Sequence, residues 1–124
     1  MVHEGAKEAA ERLPEEVVDY HRIIQSTIEE LEAVDLYNQR AAATKDPAVR
    51  AIMEHNRDEE IEHAVMGLEW LRRHSPVWDE TMRALLFKEG EIISHEQAFT
   101  GKTGEVASAL GSNGLNIGSL KKGK

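Results

Sequence analysis

The chain has 124 residues, 31% of them charged and 40% hydrophobic, which is one domain's worth at most. Fifteen basic against 23 acidic residues give a formal charge of −8, which disfavours electrostatic binding to DNA, RNA or an anionic membrane. The absence of cysteine removes disulfides, thiolate zinc sites, iron–sulfur clusters and a cysteine nucleophile.

Residues 1–13 are charged and small, and read as a flexible leader without the apolar stretch of a secretory signal. No apolar run approaches the ~18–20 residues of a membrane span, so a soluble protein of bacterial cytoplasmic style is expected. A long helical pattern runs from Pro14 to Ala43, with Glu15 and Glu16 in its first turn, where the helix dipole favours anions. Thr44-Lys45-Asp46-Pro47 breaks it. Asp46 is a good N-cap and Pro47 a good first helical residue, so a second helix is predicted from there to about His74. Ser75-Pro76 repeats that signal and opens a shorter third helix through about Lys88. Seven of the nine glycines lie from Gly90 onward, so residues 14–95 are expected to hold the helical domain. Residues 96–113 then read as a flexible linker with at most a weak helical turn at Glu105–Leu110, and residues 114–124 as a separate C-terminal peptide.

The expected fold class is all-α: an antiparallel two-helix hairpin plus a short third helix. Each long helix would extend ~40–45 Å at ~1.5 Å per residue. One short helix cannot cover the apolar stripe of such a hairpin, and a core this small is marginal, so oligomerisation is expected.

Plotted at ~100° per residue, Tyr20, Ile23, Ile24, Thr27, Leu31 and Val34 share one face of the first helix. Glu30 falls in the same arc, whereas Glu29 and Glu32 point away. On the second helix Val49, Met53, Asn56, Ala64, Gly67 and Leu71 share a face, with Glu60 at its centre and His63 to one side. A buried carboxylate costs several kcal/mol unless it meets a cation or a proton. With the turn centred near Lys45, Glu30 and Glu60 would stand level across the hairpin, His63 one turn further along.

One carboxylate from one helix and a Glu-x-x-His from its neighbour is half of a di-iron carboxylate site, which takes two Glu and two Glu-x-x-His units from four helices. Oxygen ligands with one imidazole per metal suit iron or manganese. Two copies related by a twofold axis would supply all six ligands, so the missing half of the site and the uncovered half of the core make the same demand. An ordinary ion pair between Glu60 and Arg57, three residues earlier, is the competing reading.

Two stretches carry a resemblance. Glu29-Glu30-Leu31-Glu32-Ala33-Val34-Asp35-Leu36-Tyr37 and His55-Asn56-Arg57-Asp58-Glu59-Glu60-Ile61-Glu62-His63-Ala64 resemble the signature segments of the encapsulated ferritins. Leu68–His74 and Leu86–Gly90 continue the match, which covers roughly residues 15–95. Leu36 departs from it, standing where many relatives carry an aromatic residue. The resemblance implies a ferritin-like four-helix bundle completed by dimerisation and an annular decamer of five dimers. It implies that Glu30, Glu60 and His63 of each chain hold two irons, Glu60 bridging, with Tyr37 beside the centre. Glu29 and Glu32 resemble secondary metal sites on the approach to it.

Gly114-Leu115-Asn116-Ile117-Gly118-Ser119-Leu120 resembles the targeting peptide that docks such cargo on the inner wall of an encapsulin shell. Leu115, Ile117 and Leu120 form a short apolar triad, followed by a basic end. The expected function is therefore a ferroxidase that oxidises Fe²⁺ to Fe³⁺ at an inter-subunit di-iron centre, inside an encapsulin nanocompartment of a bacterial or archaeal cytoplasm, for mineral storage. Its partners are a second copy and the encapsulin shell protein, with no nucleic acid and no membrane. The alternatives are a metal-binding cargo without turnover and a structural helical adaptor whose Glu30 and Glu60 sit in ion pairs.

Overall fold

The computed structural model describes residue 5 and residues 7–110, the last nine as backbone only. Among the described residues all regular structure is helical. After a 3-10 turn at Ala10–Arg12 come α1 (Glu15–Ala43), α2 (Pro47–His74), α3 (Pro76–Leu85) and α4 (Ile92–Leu110). Compact packing divides the chain into two units, Met1–Trp70 and Leu71–Lys124. None of the helices searched is long and apolar enough to cross a membrane.

In the first unit α1 and most of α2 form the expected antiparallel hairpin, and its short connection is chemically determined. Asp46 Oδ1 accepts from the amides of Ala48 at 2.8 Å and Val49 at 3.2 Å, which caps α2 as its sequence demands. Arg50 closes the other side of the connection. Its Nε donates to the Ala41 carbonyl at 3.2 Å and its Nη2 to the Thr44 carbonyl at 2.8 Å, satisfying oxygens that a helix C-terminus otherwise leaves without a partner.

Thr27 and Gly67 meet tightly across the hairpin. A Cβ placed on Gly67 would lie 2.1 Å from Thr27 Oγ1, inside any tolerable contact. That hydroxyl is held in place by donating to the Ile23 carbonyl at 2.7 Å, and Thr27 is buried. The contact also corrects the expected register. The point halfway between residues 27 and 67 is residue 47, two past Lys45, so Glu30 stands level with residue 64. Glu60 lies about one turn nearer the connection.

Few side chains are fully covered. Among the described residues Val18, Ala41, Ala64 and Leu71 are the buried apolar ones. Leu31 and Val49, expected in the stripe, are exposed, as are Ile52, Ile61, Val65 and Met66. The hairpin leaves much of its apolar surface in water.

In the second unit Ser75 Oγ accepts from the Trp78 amide, capping α3 ahead of Pro76 as expected. Asp79 accepts from Arg72 at 2.6 Å and Arg83 at 2.9 Å, and the Arg72 guanidinium first, then Arg83, holds its carboxyl below the usual range. The third helix ends at Leu85, three residues before the expected Lys88, because Phe87 adopts a left-handed φ of 59° that a helix cannot continue through. Residues 96–110, expected as linker, are instead the body of α4, which packs on α3. Gly101 and Gly104 lower helix propensity by about 1 kcal/mol each but do not forbid a helix, and Ile92 and Phe99 supply apolar residues two turns apart on one face.

Gly67→Ala should lower stability by about 1–3 kcal/mol, although alanine is the better helix former, because the added methyl overpacks the Thr27 contact. Thermal unfolding of Gly67→Ala and of Gly67→Ala with Thr27→Ala checks this. The double variant should recover part of the loss, and a single variant melting at or above wild type would remove the close-approach argument.

Candidate metal centre

The three inward ligand candidates come together. Glu30 is on α1 and Glu60 and His63 are on α2, and one ligand atom from each lies within 4.8 Å of the others. Among the described residues this is the group of three or more such side chains that could hold an ion. His63 Nδ1 is 2.8 Å from Glu60 Oε1 and 3.0 Å from Glu30 Oε2. Both carboxylates are half-buried, with side chains 23% and 27% exposed, while His63 is exposed at 53%. The two carboxylates are therefore the more covered members of the group and the imidazole the more open one.

Two acceptors 2.8 and 3.0 Å from one ring nitrogen mean that Nδ1 carries the proton, since carboxylates can only accept. The hydrogen bonds to Glu60 first, then to Glu30, raise the His63 pKa above 6.5. That proton occupies the position a cation would take between the two carboxylates. The donor set of two carboxylates and one imidazole matches the preferences of iron, manganese or zinc and leaves any single ion short of its full coordination.

The competing ion pair does not form. Arg57 Nε donates to Asp58 Oδ1 at 3.0 Å, and Arg57 Nη1 reaches across the hairpin to Asn38 Oδ1 at 3.0 Å. The sequence reading passed over Asn38, although a hairpin midpoint of 47 would have brought residues 38 and 57 level.

Glu29 and Glu32 are exposed and stand outside the ligand group, and Glu29 accepts a long hydrogen bond from Gln25 at 3.4 Å. Tyr37 lies two turns along α1 from Glu30, half-buried, with the Arg40 guanidinium 5.6 Å from its ring centroid, a cation–π contact. Leu36 is exposed. The peptide residues Leu115, Ile117, Gly118, Ser119 and Leu120 lie outside the described residues.

Comparison with known proteins adds to this geometry. The model of a family described as EncFtn-like matches residues 5–89. Over 120 residues the chain is 52% identical to an encapsulated ferritin-like protein of Rhodospirillum rubrum, covering 92% of this chain and 86% of the relative. It is 50% identical over 93 residues to a ferritin-like protein of Thermotoga maritima, covering 75% of this chain and 82% of the relative. A crystal structure of a protein from Nitrosomonas europaea superposes with a TM-score of 0.69 at 52% identity, covering 71% of this chain and 97% of that one.

The raised pKa has two consequences. The stabilisation from imidazolium–carboxylate contact is present below 6.5 and lost as pH rises through the raised value. A metal needs the neutral ring, so it competes with this proton and binds more weakly as pH falls through that same value. In an NMR titration of the metal-free protein, His63 should titrate above 6.5 and move back toward it in Glu60→Gln. A wild-type His63 titrating at or below 6.5 would contradict the hydrogen-bonded arrangement.

Proposed function

This chain belongs to the EncFtn-like family, and on that footing we propose that it is a ferroxidase whose reaction centre forms between two copies. The observation that carries the reading is the convergence of Glu30, Glu60 and His63 on one half-buried spot, which is half of a di-iron ligand set. Two chains related by a twofold axis contribute four carboxylates and two imidazoles. Exposed Leu31 beside Glu30, and exposed Met66 one turn beyond His63, supply apolar surface for that meeting.

Two Fe²⁺ are the substrate. Four carboxylates balance their charge, and the hard anionic oxygens favour the ferric over the ferrous ion, which eases the loss of one electron from each to dioxygen. Glu60, which shares a Glu-x-x-His unit with His63 on α2, is the residue that bridges the two ions in this reading. Metal binding would require the neutral His63 ring and so would release one proton from the imidazolium. Tyr37 stands two turns from Glu30 on the same face of α1. The exposed Glu29 and Glu32 raise the local concentration of cations and serve as secondary metal sites on the approach.

Assembly into an annular decamer of five dimers would leave little room for mineral, which is why oxidation and storage are separated. Residues 114–120 dock the assembly inside an encapsulin shell, where Fe³⁺ is released for storage. The name of the Rhodospirillum rubrum relative, an encapsulated ferritin-like protein, supports that location.

Stopped-flow absorbance of ferric species, after anaerobic protein with Fe²⁺ is mixed with oxygenated buffer, tests the activity. Wild type should oxidise Fe²⁺ well above the buffer rate, and Glu60→Ala should fall to it. Metal-loaded protein that gives no acceleration over buffer would instead establish a metal-binding cargo without turnover.

A further inference from the structure

We propose that Arg57, through its cross-helix bond to Asn38, is the positioning residue that fixes α2 against α1 and so holds Glu60 beside Glu30. The inference rests on Glu30, Glu60 and His63 being a metal site, and on nothing about turnover.

On α2 the residues Arg57, Glu60 and His63 follow one another at three-residue steps, so Arg57 and His63 flank Glu60, each about 60° around the helix from it. Both flanking side chains cross to α1. His63 Nδ1 donates to Glu30 Oε2 at 3.0 Å, and Arg57 Nη1 donates to Asn38 Oδ1 at 3.0 Å. The two ties bracket Glu60 along the hairpin, roughly 9 Å apart on α2 at ~1.5 Å per residue. Together they resist sliding and rotation of α2 against α1, either of which would carry Glu60 away from Glu30.

They differ in what happens when a cation binds. The His63 tie is made between ligand atoms, which a cation would take over. The Arg57–Asn38 tie uses no ligand atom, and it survives.

A purely electrostatic role predicts the opposite sign. A guanidinium one turn from a cation site repels the cation, so removing it would tighten metal binding. The Asp58 carboxylate 3.0 Å from Arg57 Nε opposes that charge, and loss of the Asn38 partner alone leaves the guanidinium in place, so the two effects can be told apart.

Titration of the full-length chain with Co²⁺, followed by its visible absorption, separates these cases, with Glu60→Ala as control. Arg57→Met and Asn38→Leu should each weaken Co²⁺ binding several-fold, since the bond they remove fixes the helices and touches no ligand. The two together should be no worse than either alone, because they break one bond. Asn38→Leu keeps the Arg57 charge, and Arg57→Lys, which retains a donor of similar reach, should recover part of the affinity. Unchanged or tighter binding in Arg57→Met, or additive losses in the double variant, would overturn the proposal. Unaltered Co²⁺ binding in Glu60→Ala would overturn the metal site itself, and the proposal with it.

Discussion

Two carboxylates facing one another across a pair of helices is the constraint on which the rest of the structure turns. Glu30 and Glu60 are half-buried on the inner arcs of α1 and α2, where patterning would place apolar residues. Like charges in that position repel and lose hydration, so something positive must sit between them. In the structure the His63 imidazole fills that role, its Nδ1 within 3.0 Å of both carboxylates. A proton can be exchanged for a cation without moving the helices. The hairpin is in this sense arranged for a cation, at the cost of an acidic surface that a simple core would not contain.

The packing around that site is thin by the same logic. Thr27 against Gly67 brings the helix backbones close, and the buried apolar side chains of the described residues are few and mostly small. Ile52, Ile61, Val65 and Met66 remain exposed on α2. An isolated hairpin with so little covered surface gains little from burial, whereas a second copy would cover apolar area and complete the ligand set at one surface. Under the proposed dimer, site and stability would have a common origin in assembly, and a metal bound only by the assembled form would strengthen it.

Much of this was legible in the residues. Asp46-Pro47 and Ser75-Pro76 mark the starts of α2 and α3, because a side-chain acceptor followed by proline is compatible with little else. Glu30, Glu60 and His63 stood out because carboxylates on an apolar arc need a reason. The failures came where a weak local preference meets tertiary context. Glycines at 101 and 104 made residues 96–113 read as linker, yet α4 runs to Leu110, since each glycine costs only about 1 kcal/mol. Register was displaced by two residues because the short connection is asymmetric, with Arg50 folding back onto Ala41 and Thr44, a contact without a periodic signature. That displacement hid the Asn38–Arg57 pair and made Arg57 a rival partner for Glu60.

The account stands most directly on how many chains one metal pair needs. Native mass spectrometry of the chain titrated anaerobically with Fe²⁺ counts metal and subunits in the same species. Two irons should be carried by the dimer or its multiples, with the monomer metal-free and Glu60→Ala empty throughout. Iron bound stoichiometrically to the monomer, with the subunit distribution unchanged by metal, would contradict a centre shared between two copies.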